Sequence, residues 1–183
     1  MKRIKLADRE FELSISYAVI ERAIWEIAKR MDNDLKDKDP LMICILNGSF
    51  MFAADLMKKL TIPCQISFVK VASYEGDHSS GLVRQLIGID EDIKGRNVVL
   101  LEDIIDTGVT ISHIIQQVKK LQPAEIKVAT LLYKPEACRT KFDIDYVGLR
   151  IPNDFIVGLG LDYNGYGRNL QDIYTAIDKN QYC

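Results

Sequence analysis

Residues 98–110, VVLLEDIIDTGVT, carry the signals that decide the fold of this chain. The first four are apolar, which is typical of a strand buried on both faces of a parallel sheet. Three acids follow within five positions, Glu102, Asp103 and Asp106, and a hydroxyl-rich turn with one glycine comes next. Apolar residues then recur at helical spacing over residues 111–121. The stretch therefore predicts a buried strand, an acidic turn and a helix N-terminus in direct succession.

The acidic turn can be explained in two ways. In an arbitrary α/β protein it would be a solvated turn whose last aspartate caps the following helix. Open α/β sheets, however, bind ligands outside the carboxyl ends of their strands, and helix N-termini attract phosphate. Neighbouring carboxylates also repel one another unless a cation or hydroxyl groups separate them. Because Ile104 and Ile105 anchor the turn with apolar bulk, we favour a site for a ligand that carries phosphate, ribose hydroxyls and a divalent cation.

Strand and helix patterns alternate along the rest of the chain. Ser16 is a candidate N-cap for an amphipathic helix that extends to about residue 35, and a second helix is predicted at 50–60. Further strands are predicted at 41–46, 64–71, 83–89, 126–133, 146–151 and 155–161. This alternation predicts an α/β fold with a mostly parallel central sheet, flanked by helices and joined by right-handed crossovers.

The ends of the chain are expected to form a small second layer. Residues 1–183 are predicted to be a single domain with a core at about 38–150. A hood built from about 1–15 and 151–183, together with the N-terminal helix, is expected to cover the strand ends. The polar stretch SYEGDHSSG at 73–81 is expected to be a mobile loop.

Composition and charge describe an ordinary soluble globular protein. Of 183 residues, 48% are hydrophobic and 27% charged, and the formal net charge is −2. The slight acidity argues against a nucleic-acid partner, and no apolar run approaches the roughly 20 residues that span a membrane. The N-terminus lacks the apolar core of a signal peptide, and the four cysteines and two histidines show no zinc-site spacing. We therefore expect a cytoplasmic protein with neither a nucleic-acid nor a membrane partner.

Several other positions could contribute to a site, although each also has an ordinary structural explanation. The turn NGS at 47–49 follows a buried strand and precedes a helix, so its backbone could bind a second anion. Lys134 ends a strand, where lysines are usually solvated, but in a cleft it could donate to a ligand carbonyl. Phe155 would normally pack in a core and could also stack on a planar base. Asp162 and Arg168 flank glycine-rich backbone and are ambiguous alone.

Taken together, these segments resemble the purine phosphoribosyltransferases, in particular the hypoxanthine-guanine phosphoribosyltransferases. The stretch VVLLEDIIDTGVT is similar to that family's signature for binding phosphoribosyl pyrophosphate, in which a hydrophobic strand, an acid pair, Asp-Thr-Gly and Thr have fixed spacing. Four more blocks are similar and stand in the family's order: LNGSFMFAADL (46–56), SYEGDHSSG (73–81), LLYKPEA (131–137) and IPNDFIVGLGLDYNGYGRNL (151–170). The resemblance implies an enzyme that transfers the 5-phosphoribosyl group to N9 of hypoxanthine, and of guanine, in purine salvage, with Mg²⁺ as cofactor.

The resemblance also implies a role for each candidate residue. Asp106 would be the catalytic base that takes the proton from purine N7. The residues that bind phosphoribosyl pyrophosphate would be Glu102, Asp103, Asp106, Thr107, Gly108, Val109, Thr110, Asn47, Gly48, Ser49 and Arg168. The purine would contact Lys134 at its 6-oxo group, Phe155 by stacking, Ile156 and Asp162. Magnesium would be held, partly through water, by Glu102, Asp103 and Asp162.

Two further features follow from the resemblance. Ser73 and Tyr74 would lie on a mobile loop that closes over the site. The bond between Leu46 and Asn47 is at a position where the family often has a non-proline cis peptide. The partners implied are the small-molecule substrates phosphoribosyl pyrophosphate, hypoxanthine and guanine, and further copies of the chain in a homodimer or homotetramer.

Two other classes of protein compete with this interpretation. A regulator with the same fold that binds nucleotide and RNA would usually carry an apolar or aromatic residue in place of Asp106, and a basic surface. An unrelated dinucleotide-binding enzyme or P-loop protein would need G-x-G-x-x-G or G-x-x-x-x-G-K-[ST] after a strand, and the chain contains neither. Both classes are therefore disfavoured.

Overall fold

The computed structural model describes residues 2–72, 84–88 and 91–177. The expected mobile loop, with Ser73 and Tyr74, lies outside the described residues. The elements in the described ranges are β1 (Arg3–Leu6), β2 (Arg9–Ile15), α1 (Tyr17–Asp34), β3 (Leu41–Leu46), α2 (Phe50–Met57), β4 (Gln65–Ala72), β5 (Arg84–Ile87), β6 (Asn97–Ile105), α3 (Val109–Lys120), β7 (Glu125–Tyr133), β8 (Tyr146–Arg150), β9 (Ile156–Val157) and β10 (Ile173–Ala176). None of the helices in these ranges is long and apolar enough to cross a membrane.

The central sheet has six strands in the order β5-β4-β3-β6-β7-β8. The strands β4, β3, β6, β7 and β8 run parallel, and β5 pairs with β4 in antiparallel fashion. The predicted α/β class with a mostly parallel sheet is therefore confirmed. Because parallel strands end at the same edge, the carboxyl ends of β3, β6 and β7 lie side by side. The register places Cys44 opposite Leu101 and Glu102 opposite Thr130.

Helix α1 packs on the central sheet and not in the hood, which corrects the expectation for the N-terminal helix. Its apolar stripe, which includes Ile20, Ile24 and Ile27, belongs to one buried cluster with Leu131 and Tyr146 of the sheet. A wide apolar stripe is stable only against an apolar surface of similar size, and the face of β7 and β8 provides one. Helix α3 covers the opposite face, where a second buried cluster forms.

The start of α1 is capped by a residue from the other end of the chain. Ser16 stands at the predicted N-cap position but makes no side-chain capping hydrogen bond. Instead, the backbone N–H of Tyr17 donates to Asp172 Oδ1 at 2.9 Å, and Lys2 Nζ lies 2.9 Å from Asp172 Oδ2. This carboxylate satisfies one of the helix's free N–H groups and so joins the two ends of the chain.

The hood is a four-stranded antiparallel sheet in the order β1-β2-β10-β9, formed by the N- and C-terminal segments as predicted. It has its own buried cluster around Phe11, Val157 and Tyr174. The strand predicted at 155–161 is shorter than expected. It ends after two residues because Gly158 and Gly160 adopt φ values of 109° and 96°, which extended strands do not contain.

Candidate active site

A cavity of about 350 Å³ lies between the carboxyl edge of the central sheet and the hood. It is lined by Ile45, Leu46, Asn47, Gly48, Glu102, Asp103, Ile104, Asp106, Thr110, Lys134, Phe155, Ile156, Leu161, Asp162 and Arg168. A second hollow of about 250 Å³ adjoins it at the start of α3, lined in part by Glu102, Asp106, Thr107, Gly108 and Thr110. The two hollows share Glu102, Ile104, Asp106 and Thr110, so they form one continuous candidate site.

Glu102 and Asp103 are two adjacent carboxyl groups at the end of β6, in the floor of the site. Asp103 is 6% exposed, and its Oδ1 accepts a hydrogen bond from the backbone N–H of Ile104 at 2.8 Å. Burial raises the pKa of Asp103, and burial together with the charge of Asp103 raises the pKa of Glu102 well above its usual range. Glu102 Oε2 is buried and has no hydrogen-bond partner among the described residues. Two buried carboxyl groups with an unpaired oxygen are suited to a cationic or hydroxyl-bearing ligand.

Magnesium needs oxygen ligands, and the carboxyl groups of the site are the candidates. The described residues contain no cluster of three or more His, Cys, Asp or Glu side chains able to hold a metal ion. Glu102, Asp103 and Asp162 thus do not form one such cluster, and their joint role in holding magnesium, partly through water, stays a prediction. Magnesium is usually bound by one or two carboxylates, with water and substrate phosphates completing its octahedron. The Glu102–Asp103 pair fits that requirement by itself.

Asp106 and Lys134 meet at the opposite end of the acidic turn. Lys134 Nζ donates to Asp106 Oδ2 at 2.8 Å, and the Lys134 side chain is 8% exposed while that of Asp106 is 44% exposed. The backbone N–H of Lys134 donates to the Ile105 carbonyl at 3.0 Å, which fixes the end of β7 beside the end of β6. The buried ammonium of Lys134 thus contacts one oxygen of the Asp106 carboxylate. Asp106 is partly exposed and also lines the cavity.

The loop after β3 approaches the acid pair closely. The peptide bond between Leu46 and Asn47, whose isomer the resemblance left open, is cis. A Cβ on Gly48 would overlap the carboxylate of Asp103, and a Cβ on Gly160 would overlap the Gly48 carbonyl oxygen. Only glycine allows these backbones to come so near. The hood and the central sheet therefore touch through two glycines at the wall of the cavity.

Ser49 does not reach the cavity, although the resemblance placed it in the pyrophosphate loop. It is fully buried, its Oγ donates to the Ile45 carbonyl at 2.5 Å, and Cys44 Sγ lies 3.0 Å from that hydroxyl. Its backbone N–H also donates to the Ile45 carbonyl, at 3.4 Å. Ser49 thus supports the loop from inside, whereas Asn47 and Gly48 line the cavity.

The turn from Asp106 to Thr110 leads into α3. Gly108 is the N-cap residue with φ of 82°, a conformation that side chains rarely adopt, and Thr107, Val109 and Thr110 are exposed. The first turn of α3 contains no acidic residue, so the positive end of the helix dipole has no carboxylate of its own there. The free N–H groups of a helix start and two threonine hydroxyls are suited to a phosphate.

The hood supplies an aromatic wall. Phe155 lines the cavity and is 43% exposed, and the ring of Tyr163 stands nearly perpendicular to it at a centroid distance of 5.8 Å. Phe11 packs 6.3 Å away, and the guanidinium of Arg9 lies 4.8 Å from the Phe155 ring centroid. Ile156 follows Phe155 in the wall and is 8% exposed. An exposed ring held by three neighbours is a suitable surface for a planar ligand.

Asp162 and Arg168 form an ion pair at the hood side of the cavity. Arg168 Nη2 lies 2.6 Å from Asp162 Oδ1, and Arg168 Nη1 donates to the Gly160 carbonyl at 2.7 Å. Asp162 Oδ2 accepts from the backbone N–H of Gly165 at 2.7 Å. Both carboxylate oxygens of Asp162 are therefore already engaged, while Arg168 still brings positive charge to the cavity.

Some residues that shape the site were not identified from the sequence. Gly160 and Leu161 stand in the run GLGL, and alternating glycines in an apolar run were a signal for a close backbone approach. No such signal exists for Arg9, because nothing in its local sequence indicates a contact with the ring of Phe155, 146 residues later.

Comparison with known proteins agrees with this geometry. The phosphoribosyl transferase domain family matches residues 16–164. The chain is 40% identical over 170 residues to the hypoxanthine-guanine phosphoribosyltransferase of Mycobacterium tuberculosis (strain CDC 1551 / Oshkosh), over 89% of this chain and 84% of that protein. A protein of the same name from Streptococcus pyogenes serotype M3 is 43% identical over 163 residues, which cover 88% of this chain and 89% of that protein.

Solved structures give the same result. The crystal structure of a hypoxanthine-guanine phosphoribosyltransferase from Bacillus anthracis matches with a TM-score of 0.86 at 35% identity, over 91% of this chain and 98% of that chain. The chain belongs to the phosphoribosyltransferase family.

Proposed function

We propose that this enzyme transfers the 5-phosphoribosyl group of phosphoribosyl pyrophosphate to N9 of hypoxanthine, and of guanine, and releases pyrophosphate. The observation that carries the proposal is the contact between Lys134 Nζ and Asp106 Oδ2 at 2.8 Å, at the end of a cavity that also contains the Thr107–Thr110 turn. A 6-oxopurine has an acceptor at its 6 position and a proton at N7 of its five-membered ring. An ammonium donor beside a carboxylate acceptor matches that pair of groups.

On the base side, Asp106 takes the proton from N7 as N9 attacks C1′ of the ribose, since general bases must lie within hydrogen-bond reach of their proton. Lys134 donates to the 6-oxo group, where a 6-amino group would present a donor to another donor. Phe155 and Ile156 provide the apolar surface on which the ring stacks. The Lys134–Asp106 ion pair keeps the two groups adjacent before the purine binds.

On the sugar-phosphate side, the turn from Thr107 to Thr110 and the start of α3 hold the 5′-phosphate. Arg168, with the backbone at Asn47 and Gly48, lines the cavity and would bind the pyrophosphate, and its guanidinium would stabilise the growing negative charge. Positive charge develops on the ribose as the bond to pyrophosphate breaks, so Glu102 or Asp103, when ionised, would also favour the transition state.

Glu102 and Asp103 would hold the ribose hydroxyls and magnesium, directly or through water. When bound, the cation neutralises phosphate charge and so favours departure of pyrophosphate. The unpaired Glu102 Oε2 and the raised pKa values of both acids support this assignment. Asp162 contributes to the same region through its ion pair with Arg168.

The remaining expectations stay predictions of this proposal. The enzyme would be a single domain, and it would act in the cytoplasm as a homodimer or homotetramer. Light scattering coupled to size-exclusion chromatography measures the assembly directly. The pairing of β2 with β10 supports one domain, because it joins the two chain ends in one sheet.

The test is a spectrophotometric assay with magnesium, phosphoribosyl pyrophosphate and each purine base in turn. We expect nucleotide formation with hypoxanthine and guanine, little with adenine, and loss of the activity with excess chelator. The variant Lys134→Ala should weaken use of the 6-oxopurines. Absence of nucleotide with both hypoxanthine and guanine would contradict the proposal, as would tight, sequence-dependent RNA binding without any turnover.

A further inference from the structure

We propose that Thr140 is a positioning residue for the phosphate-binding turn, a role that rests on the function proposed above. Thr140 belongs to a short segment, residues 138–140, which we call the outer brace. The brace packs against the turn from Thr107 to Gly108, and Thr140 is not among the side chains that line either hollow of the site. Thr140 therefore acts on the ligand through the turn and not by contact.

Two donors of the outer brace converge on one acceptor. The backbone N–H of Arg139 donates to the Thr107 carbonyl at 3.1 Å, and Thr140 Oγ1 donates to the same oxygen at 3.3 Å. Both bonds span more than thirty residues of sequence. A carbonyl held by two donors has its peptide plane fixed, because rotation of the plane would break both bonds.

The orientation of that peptide plane determines where an amide points. In a trans peptide the C=O of one residue and the N–H of the next point in opposite directions. With the Thr107 carbonyl turned toward the outer brace, the N–H of Gly108 is directed to the other side of the turn. The hollow at the start of α3 is lined by Thr107, Gly108 and Thr110. The brace thus removes a carbonyl from the phosphate site and presents an amide to it.

Packing around Gly108 supports the same arrangement. A Cβ at Gly108 would overlap Thr140 Oγ1, and it would lie 3.0 Å from the Phe142 ring and 3.2 Å from Cys138 Sγ. The brace and Phe142 together therefore fill the space beside the glycine. The turn cannot move outward without displacing three side chains.

The outer brace is also continuous with the base site. The backbone N–H groups of Ala137 and Cys138 both donate to the Lys134 carbonyl at 3.2 Å, and the Lys134 side chain contacts Asp106. One stretch of seven residues thus runs from the proposed purine contact at Lys134 to the proposed phosphate turn. Lys134 at one end is proposed to act on the purine and Thr140 at the other on phosphoribosyl pyrophosphate, so substitutions at the two ends should affect different substrates.

The experiment compares Thr140→Val, which keeps the shape and removes the hydroxyl, with Thr140→Ser, which keeps the hydroxyl. We expect Thr140→Val to raise the KM for phosphoribosyl pyrophosphate about fivefold, because one hydrogen bond of ordinary strength is lost. The KM for hypoxanthine and kcat should change less than twofold, and Thr140→Ser should return the phosphoribosyl pyrophosphate KM to near the wild-type value. Direct titration of phosphoribosyl pyrophosphate by calorimetry should give the same ratio of Kd values without turnover.

Thr61→Val is the matched control. Thr61 Oγ1 donates to Asp32 at 2.8 Å, and Thr61 lines neither hollow of the site. It should lower thermal stability and leave both KM values unchanged. The proposal is overturned if Thr140→Val leaves the phosphoribosyl pyrophosphate KM and Kd at wild-type values, raises both KM values alike, or is not rescued by Thr140→Ser. A wild-type enzyme that forms no nucleotide would instead refute the proposed function, and the calorimetric comparison would still test the brace.

Discussion

The loop after β3 and the turn after β6 are both strand–turn–helix units, and each contains a glycine at which a Cβ would overlap a neighbouring side chain. At Gly48 the obstacle to a side chain is the carboxylate of Asp103, a group of the proposed site. At Gly108 the obstacles are the outer brace and the backbone itself, since φ is 82°. Gly48 thus leaves space for a carboxylate of the proposed site, whereas Gly108 allows the left-handed backbone conformation of the turn. Similar local patterns therefore perform different tasks, and substitutions should separate them.

The largest effect is expected at the β6 end, from Asp106→Asn. The amide cannot accept the N7 proton, so kcat should fall about 10²–10⁴-fold, while phosphoribosyl pyrophosphate binds almost normally. Steady-state kinetics and calorimetric titration measure the two quantities. Asp143→Asn, at an exposed aspartate that lines neither hollow of the site, is the control and should behave as wild type. An unchanged kcat in Asp106→Asn would remove this residue from the role of base.

The β3 loop should be next in sensitivity. In Gly48→Ala the new methyl group displaces the Asp103 carboxylate or the loop, and a shift of about 1 Å in a positioned group can cost about 10²-fold in rate. We expect kcat/KM to fall by about that factor with little change in the melting temperature. A variant that melts far below wild type would mean that Gly48 serves the fold, and the contrast with Gly108 would disappear.

Gly108→Ala should affect ligand affinity and stability together. Left-handed backbone costs a side-chain-bearing residue about 1–2 kcal/mol, and the contact with Thr140 adds to this cost. The KM for phosphoribosyl pyrophosphate should rise about tenfold, since the turn can present fewer amides to phosphate. Gly95→Ala is a matched control, because Gly95 has φ of 71° with open space around it. It should lose stability through the left-handed backbone alone, and so by less than Gly108→Ala, and it should leave KM unchanged.

The sequence was sufficient for the β6 end because all of its chemistry is contiguous. A buried strand, three acids and a helix start occupy thirteen consecutive residues, so local patterns determine their relative positions. The alternation of strands and helices likewise predicted the parallel sheet. The resemblance to the purine phosphoribosyltransferases added Lys134 and Phe155 to the predicted site. The structure brings both of these side chains to the cavity.

The contacts that the sequence did not predict are those between distant segments. An amphipathic stripe on α1 identifies its buried face but not the surface that it packs against, and for this reason the expectation that the helix belongs to the hood is wrong. The cap of α1 comes from Asp172, and the brace on Thr107 comes from Thr140. Ser49 lies in the expected loop, yet its side chain turns inward to the Ile45 carbonyl. Each of these contacts depends on the path of the whole chain, which no local pattern specifies.

The smallest expected effect is a difference in thiol reactivity between one cysteine in β3 and one beside the turn after β6. Cys44 in β3 is fully buried, and burial raises the pKa of its thiol to about 11. Cys138, beside Gly108, is partly exposed. Iodoacetamide at pH 8 should leave the buried Cys44 intact in the folded protein, because the thiolate is the reactive form and the raised pKa keeps Cys44 as a thiol, whereas the partly exposed Cys138 should be modified. Raising the pH to 9.5 should still spare Cys44, since that pH lies below the pKa.

Peptide mass spectrometry assigns the label to each site, and a parallel reaction in urea shows that both thiols react once the chain unfolds. Rapid labelling of Cys44 at pH 8 without urea would mean that the β3 end opens to solvent in the native state. The Ser49–Cys44 contact would then not be a closed interior support, and the β3 loop could not hold Gly48 against Asp103 as firmly as the comparison requires. If Cys44 is protected while Cys138 is labelled, the Ser49–Cys44 contact that supports β3 is closed to solvent, whereas the outer brace beside the turn after β6 is accessible to solvent.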